Sequence, residues 1–212
     1  MNVLSALEAA RVVGVLRADT PETALRAARA AVRGGLRALE VTFTVPGAPD
    51  VLRVLAAELG PEVALGAGTV LTAEQARQAG GAGAAFLVSP HLGEDVAAFA
   101  QEAGLPYLPG VLTPTEVARA LRLGVEAVKL FPAGALGGAS FLRDLRGPFP
   151  GLRVMATGGI EPAQVGAYLK AGALAVGLGG HLFPGPALRS EDWEAVEAAV
   201  RAALHAAGTV GA

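Results

Sequence analysis

The pattern that decides the fold is contained in one segment, Gly34-Gly35-Leu36-Arg37-Ala38-Leu39-Glu40-Val41-Thr42-Phe43. It joins glycines typical of a helix end to a short apolar run typical of a buried strand. Seven similar runs occur at intervals of about two dozen residues, a spacing that suits one strand, one loop and one helix per unit. The eight predicted strands are 12–17, 38–43, 64–70, 84–90, 106–112, 127–132, 153–160 and 174–183.

Signals for helix ends fill the stretches between these runs. Glycines typical of helix ends precede five strands, and capping segments begin at Asp19, Thr72 and Thr113. The alternation predicts parallel strands, which leaves an open doubly wound sheet or a closed (β/α)8 TIM barrel. We predict an α/β protein with one barrel domain over 1–212, because the units are near-equal and Leu71 breaks the Rossmann fingerprint. A short helix over 3–10 is expected to cover the bottom of the barrel.

The composition excludes several classes of protein. The chain has 212 residues, is 52% hydrophobic and 17% charged, and has a formal net charge of -2. These values argue against a disordered chain and against attraction to nucleic acid or an anionic membrane. There is no cysteine for a disulfide or a thiolate site, and no apolar run reaches the roughly 18 residues of a membrane span. We therefore expect a cytoplasmic protein with small-molecule partners.

Active sites of such barrels lie at the carboxyl ends of the strands, where few polar residues occur in this chain. Lys129 stands out because the chain has only two lysines, and this one lies within the apolar run Ala127-Val128-Lys129-Leu130-Phe131-Pro132. Burial disfavours the ammonium form, and the neutral amine is a nucleophile. The alternative is a structural charge that pairs with a carboxylate. A chain that otherwise uses arginine for ion pairs favours the functional interpretation.

Glu40 is the second polar residue in a run that is otherwise apolar. Strand alternation places Glu40 and Thr42 on one face, which in a barrel is the interior, so Glu40 is expected to share that space with Lys129. The two could form a buried ion pair and nothing more. In the functional interpretation Lys129 is a Schiff-base nucleophile and Glu40 carries protons.

Two glycine pairs end the seventh and eighth runs, Gly158-Gly159 and Gly179-Gly180. Barrels often bind phosphate there through exposed backbone amides, although glycines at these positions could simply permit tight turns. His181 follows the second pair, where it could contact the phosphate or act as a cap. The three histidines are scattered without partners at ligand spacing, so no metal site is expected.

Four segments together resemble a known enzyme family: 35–43, Gly66-Ala67-Gly68-Thr69-Val70, 124–137 and Thr157-Gly158-Gly159-Ile160. They are similar to the class I aldolases that act on 2-dehydro-3-deoxy-phosphogluconate (KDPG) and 4-hydroxy-2-oxoglutarate (KHG). The resemblance implies a lyase in which Lys129 forms an imine with the C2 ketone, Glu40 moves protons, and the C3–C4 bond breaks. It implies a 2-keto acid substrate, no cofactor, a homotrimer and a place in the Entner–Doudoroff pathway. It also implies substrate contacts at Thr69, Pro90, Phe131, Gly158, Gly159, Gly179 and Gly180.

Two positions depart from the family pattern. An arginine that grips the substrate carboxylate is common where this chain has Thr44, and a serine often stands at the position of His181. Thr44 itself is a candidate substrate-binding residue, although threonine cannot replace a bidentate carboxylate partner. We predict that Arg17, at the end of the neighbouring first strand, supplies the missing guanidinium. The choice between KDPG, KHG and an unphosphorylated sugar acid stays open, as does the stereochemistry at C4.

Other functions stay open at this point. A barrel isomerase or phosphate-ester synthase could use Glu40 as a base without a covalent lysine intermediate. A catalytically inactive barrel that serves as a binding module would retain the two costly charges without need. A pyridoxal phosphate enzyme would also use a lysine imine, but no acidic or basic partner is evident for the pyridine nitrogen.

Overall fold

A computed structural model describes residues 2–208. Within these residues, nine strands occur, and helices connect all of them except the fifth and the sixth. The strands are β1 Val12–Leu16, β2 Ala38–Thr42, β3 Ala64–Gly68, β4 Leu87–Val88, β5 Tyr107–Leu108, β6 Gly110–Val111, β7 Val128–Leu130, β8 Val154–Thr157 and β9 Ala175–Leu178. The α-helices are α1 Val3–Ala10, α2 Pro21–Arg33, α3 Ala48–Glu58, α4 Ala73–Gly81, α5 Glu94–Ala103, α6 Pro114–Arg122, α7 Gly138–Arg146, α8 Val165–Lys170, α9 Gly185–Arg189 and α10 Trp193–Ala206, with 3-10 turns at Ala133–Ala135 and Pro162–Gln164.

All strand pairs are parallel, and their order is β5-β4-β3-β2-β1-β9-β8-β7-β6. The two ends of this order, β5 and β6, are halves of the fifth predicted run and are separated only by Pro109. The first half bonds to β4, while the Pro109 carbonyl accepts from the Lys129 amide at 2.8 Å and β6 continues along β7. The sheet is therefore a nearly closed barrel of eight strand segments, and the prediction of a (β/α)8 barrel is confirmed.

The amino end of the barrel is filled with apolar side chains. Leu4 and Leu7 of α1 are buried against residues that point inward from the strands, including Phe86 and Met155. The predicted helix over 3–10 forms and covers the bottom of the barrel. The larger apolar cluster lies outside the sheet, between the strands and the surrounding helices. The polar interior begins above the layer that α1 closes.

Helix ends follow the sequence signals with two differences. The side chains of Thr72 and Thr113 cap α4 and α6 as predicted, but Thr20, rather than Asp19, caps α2 by accepting from the Thr23 amide. The helix α4 continues through both glycines expected to end it, and the left-handed residue is Gly83, with φ of 92°. In each case the helix end is set by a neighbouring residue: Thr20 supplies the capping oxygen of α2, and Gly83 supplies the left-handed conformation after α4.

Candidate active site

Lys129 and Glu40 meet inside the barrel. The Lys129 Nζ atom lies 3.6 Å from Glu40 Oε1, and the side chains are 3% and 0% exposed. Lys129 comes from β7 and Glu40 from β2, which are separated in the sheet by β1, β9 and β8. The two side chains therefore approach each other across the barrel interior, as strand alternation predicts.

The carboxylate of this pair is fully buried, but its oxygens are not engaged in hydrogen bonds in the part of the chain that the structure describes. Neither Glu40 oxygen has a hydrogen-bond partner within the described chain, and 3.6 Å exceeds an ordinary N–H···O distance. A buried ion pair that served only stability would be expected to satisfy its lone pairs with short bonds. The arrangement therefore favours a carboxylate that exchanges protons with something that binds beside the lysine. The Lys129 Nζ atom also lies 5.3 Å from the centre of the Phe131 ring, within cation–π range.

Gly68 explains how Glu40 fits in the crowded interior. A Cβ atom at Gly68 would lie 2.7 Å from Glu40 Oε1 and 2.9 Å from its Cδ. Gly68 pairs with Thr42 on β2, two residues beyond Glu40. The glycine in Gly66-Ala67-Gly68 thus provides the space that the carboxylate occupies, which the sequence alone does not reveal.

A cleft of about 400 Å³ lies at the carboxyl ends of β1, β7, β8 and β9, and neither Lys129 nor Glu40 is part of its lining. Its lining brings together several predicted site residues: Arg17, Phe131, Gly158, Gly159, Gly179, Gly180 and His181. The Arg17 guanidinium lies against the second glycine pair, since a Cβ at Gly179 would be 3.5 Å from its Nη1 atom. Phe131 is half-buried, while Arg17 and His181 are exposed. The cleft thus combines backbone amides with a cation, a suitable environment for an anionic group.

Thr69 and Pro90 follow β3 and β4 at the same end of the barrel, and both are half-buried. Thr69 adopts a left-handed backbone conformation, with φ of 55°. This conformation is rare for a β-branched residue and is costly unless the surroundings impose it. Neither Thr69 nor Pro90 lines the cleft beside the glycine pairs.

Thr44 is exposed and its hydroxyl proton is already used. Thr42 Oγ1 donates to the Leu16 carbonyl at 2.9 Å, and the Thr42 and Thr44 hydroxyl oxygens lie 2.7 Å apart. Because a hydroxyl has one proton, Thr44 must donate to Thr42. In this arrangement Thr44 has no proton left for a substrate carboxylate, which speaks against a direct binding role for it.

Thr157 is not among the predicted site residues, although it ends a buried strand next to a glycine pair. Its side chain is 5% exposed and lines the cleft, and its Oγ1 atom has no hydrogen-bond partner within residues 2–208. A buried hydroxyl without a partner is costly. The signal that could have identified it is a polar residue on the inward face of a buried strand.

Other clefts differ in the residues that line them, and one of about 570 Å³ shares Arg17 with this site and also contains Thr44. A cleft of about 700 Å³ lies at the amino end of the barrel beside α1 and contains none of the predicted site residues. In the described part of the chain, no cluster of three or more His, Cys, Asp or Glu side chains could hold a metal ion. No helix within it is both long and apolar enough to cross a membrane.

A parallel barrel with a buried lysine beside a carboxylate is the arrangement that imine-forming barrel enzymes need. Comparison with known proteins is consistent with that class. The model of the KDPG and KHG aldolase family matches residues 3–199. The chain belongs to the KDPG and KHG aldolase family.

Individual relatives align over nearly the whole chain. The 2-dehydro-3-deoxy-phosphogluconate aldolase of Treponema pallidum (strain Nichols) is 36% identical over 99% of this chain and 100% of that protein. The KHG/KDPG aldolase of Escherichia coli (strain K12) is 37% identical, over 96% and 95% of the two chains. A crystal structure of the KDPG aldolase from Legionella pneumophila, with pyruvate captured as a covalent carbinolamine intermediate, is 31% identical, covers 96% and 98%, and superposes with a TM-score of 0.87.

Proposed function

We propose that this protein is a class I aldolase that cleaves KDPG to pyruvate and D-glyceraldehyde 3-phosphate, and KHG to pyruvate and glyoxylate. The observation that carries the proposal is the Lys129 amine, buried 3.6 Å from a Glu40 carboxylate that has no hydrogen-bond partner in the described chain. Family membership supports it, as does the covalent pyruvate adduct of the Legionella relative. That adduct favours an imine mechanism over a barrel isomerase or synthase without a covalent intermediate.

The geometry suits each step of the cleavage. The neutral Lys129 amine adds to the C2 ketone to form a carbinolamine, which loses water to give an imine. Glu40 then accepts the proton of the C4 hydroxyl while the C3–C4 bond breaks. The aldehyde leaves, and the electron pair of the broken bond stays on the pyruvyl fragment as an enamine. Protonation at C3 and addition of water release pyruvate and restore the amine. The partly desolvated interior strengthens the electrostatic interactions that stabilise these changes of charge, and it excludes water that would compete in the reaction.

The remaining site residues are proposed to bind the rest of the substrate. Amides of the two glycine pairs, with His181, are proposed to contact the phosphate, and the Thr157 hydroxyl a polar group of the substrate. Phe131 and Pro90 pack against the pyruvyl part, and Thr69 contacts its carboxylate. The sequence-based role of Arg17 at that carboxylate stays a prediction, and its position beside Gly179 supports a contact with the phosphate instead.

The wider setting is also a proposal. We propose a homotrimer that acts in the cytoplasm, in the Entner–Doudoroff pathway, and the support for each is the family resemblance. Sedimentation equilibrium tests the assembly. A species of three 21.2 kDa chains is expected, and a monomer at micromolar concentration would contradict the trimer.

Trapping of the imine tests the mechanism. Incubation with pyruvate and borohydride should attach a reduced adduct to Lys129, and Lys129→Arg should abolish it. Lys170→Arg is the matched control, because Lys170 is exposed on α8 and the adduct should persist. Unchanged mass in the wild-type protein would favour the mechanism without a covalent intermediate. Cleavage rates with KDPG and KHG side by side then rank the two substrates.

A further inference from the structure

The turn that carries Thr69 is held in place by bonds on both sides. Before it, the Gly68 carbonyl accepts from the Phe43 amide at 2.8 Å. After it, the Val70 amide donates to the Val88 carbonyl at 3.1 Å, and the Val70 carbonyl accepts from Ser89 Oγ at 2.5 Å. Of these bonds, only the one from Ser89 comes from a side chain, so it alone can be removed by substitution without changing the backbone.

Ser89 is well placed for this task. It is fully buried just beyond β4, and its amide donates to the Leu108 carbonyl at 3.2 Å, which ties it to the neighbouring strand β5. The barrel therefore holds the backbone of Ser89, from which the hydroxyl projects, in a fixed position. The single Ser89 hydroxyl proton is directed to Val70, the residue that follows the left-handed Thr69.

The strained conformation of Thr69 explains why the hydrogen bond from Ser89 matters for function. Glycine would adopt a φ of 55° freely, whereas a β-branched residue is held there only if its surroundings impose the conformation. The half-buried Thr69 is the residue proposed above to contact the substrate carboxylate. A relaxed turn would move its hydroxyl away from the place where that contact is made.

We infer that Ser89 is a positioning residue for pyruvate binding: its hydroxyl holds the Val70 carbonyl and thereby keeps the strained Thr69 turn in the binding conformation. This inference rests on the proposed function, because it assigns Thr69 to the keto-acid carboxylate. Ser89 itself does not contact the substrate. Its effect is on binding of the keto acid and not on the reactivity of Lys129.

A second contact of Ser89 has to be separated from this role. Tyr107 interacts with Ser89, and its hydroxyl accepts from the Gly93 amide at 3.1 Å and donates to the His91 carbonyl at 3.4 Å. Burial raises the pKa of Tyr107, so the phenol stays protonated near neutral pH. Tyr107→Phe removes this contact and retains the bond from Ser89 to Val70. It is therefore the matched control.

The test is a double-mutant cycle between Ser89→Ala and Thr69→Ala. The measurement is the pyruvate concentration that gives half-maximal borohydride-trapped adduct on Lys129, together with the melting temperature of each variant. We expect Ser89→Ala to raise that concentration on the order of tenfold, with full adduct at saturating pyruvate. Tyr107→Phe should leave it near the wild-type value. The double variant should be no worse than Thr69→Ala, because both changes act through the same turn.

The opposite results are equally clear. A Ser89→Ala protein that melts earlier but binds pyruvate like the wild type, or single effects that multiply in the double variant, would overturn the inference. If Ser89→Ala does not fold, Ser89→Cys provides a weaker donor of similar size, and a smaller shift in the same direction is expected. An unshifted Ser89→Cys would also overturn it. A wild-type protein that forms no adduct would refute the proposed aldolase function instead.

Discussion

The distance between Lys129 and Glu40 places both residues under opposing demands. At 3.6 Å and with almost no exposure, each charge needs the other, yet the reaction needs a neutral amine and a carboxylate free to accept a proton. A pair held slightly beyond hydrogen-bond distance meets both demands. The attraction limits the cost of burial, and the lone pairs of Glu40 stay available to the substrate.

Two substitutions at Lys129 separate charge from chemistry. Lys129→Arg keeps a cation beside Glu40 but cannot form an imine, so we expect no cleavage and near-normal stability. Lys129→Met leaves Glu40 buried without a counter-charge and should lose about 3–5 kcal/mol of unfolding free energy as well as activity. Denaturant unfolding and cleavage assays measure the two effects. Equal stability of the two variants would show that the ion pair contributes little.

Gly68→Ala should displace the Glu40 carboxylate while leaving residue 40 a glutamate. The added methyl group would lie 2.7 Å from Glu40 Oε1, so the carboxylate must move. We expect cleavage to slow on the order of 10²-fold, the lower range for loss of a proton-transfer group, while long incubation still yields the pyruvate adduct. Gly81→Ala is the control, since nothing lies within 4 Å of its added Cβ. Unimpaired cleavage by Gly68→Ala would remove Glu40 from the proposed proton path.

Arg17→Met tests which anionic group the guanidinium contacts. Its position beside Gly179 leads us to expect about a tenfold rise in KM for KDPG, with the half-saturating concentration of pyruvate in trapping unchanged. Arg122→Met, an exposed arginine on α6 outside the cleft, is the control. A parallel rise for pyruvate would instead support the sequence-based role of Arg17 at the carboxylate.

At the scale of single residues, the sequence was informative where strand alternation decides the direction of a side chain. It placed Glu40 and Lys129 together because each lies on the inward face of a predictable strand. It could not show that Thr44 has committed its proton to Thr42, or that Thr69 is left-handed. Both depend on contacts with other strands, which no local pattern encodes.

Among the elements, the start of α6 shows how a local signal becomes stability. Thr113 and Glu116 form a capping box in which the Glu116 side chain accepts from the Leu112 and Thr113 amides at 2.9 and 2.7 Å. The hydrogen bond from the Leu112 amide is the main reason that the pKa of Glu116 is lowered, although partial burial opposes it. The ionised carboxylate thus stabilises the folded state.

The consequence for pH follows from the direction of that shift. Because the pKa of Glu116 is lower in the folded than in the unfolded chain, its stabilisation is present above the unfolded-state value and is lost as pH falls through the folded-state value. Glu116→Ala should cost about 1 kcal/mol at pH 7, and the difference from wild type should shrink below about pH 4. Thermal melts at several pH values measure it. Glu102→Ala, an exposed change on α5, should show no such trend.

Strand and helix boundaries show a similar division between local and distant causes. The caps at Thr72 and Thr113 are local and were predicted. The break at Pro109 was not, because it follows from which neighbour each half of the fifth strand can bond to in the closed ring. Helix α4 likewise includes both Gly80 and Gly81, and the left-handed residue comes only at Gly83.

For the whole molecule, every strand is paired with two neighbours except β5 and β6, the two halves at which the sheet nearly closes. The chain is predicted to be a single domain over 1–212, so we expect one cooperative unfolding transition in guanidinium chloride. Trp193, the one tryptophan, reports on α10, which packs against α2, and far-UV circular dichroism reports on the whole fold. The two midpoints should coincide. An earlier fluorescence change would indicate that the helices around α10 unfold separately.

The apolar side chains that α1 places beneath the strands determine the order in which substrates bind and products leave. With Leu4 and Leu7 sealing the floor, reactants and products share the mouth where the glycine pairs lie. In the proposed mechanism the pyruvyl fragment stays bonded to Lys129, above the layer that α1 closes, so the aldehyde departs first. In the condensation direction pyruvate must therefore bind first. A bulky aldehyde that is already bound at the mouth would block the entry of pyruvate and so prevent its own reaction.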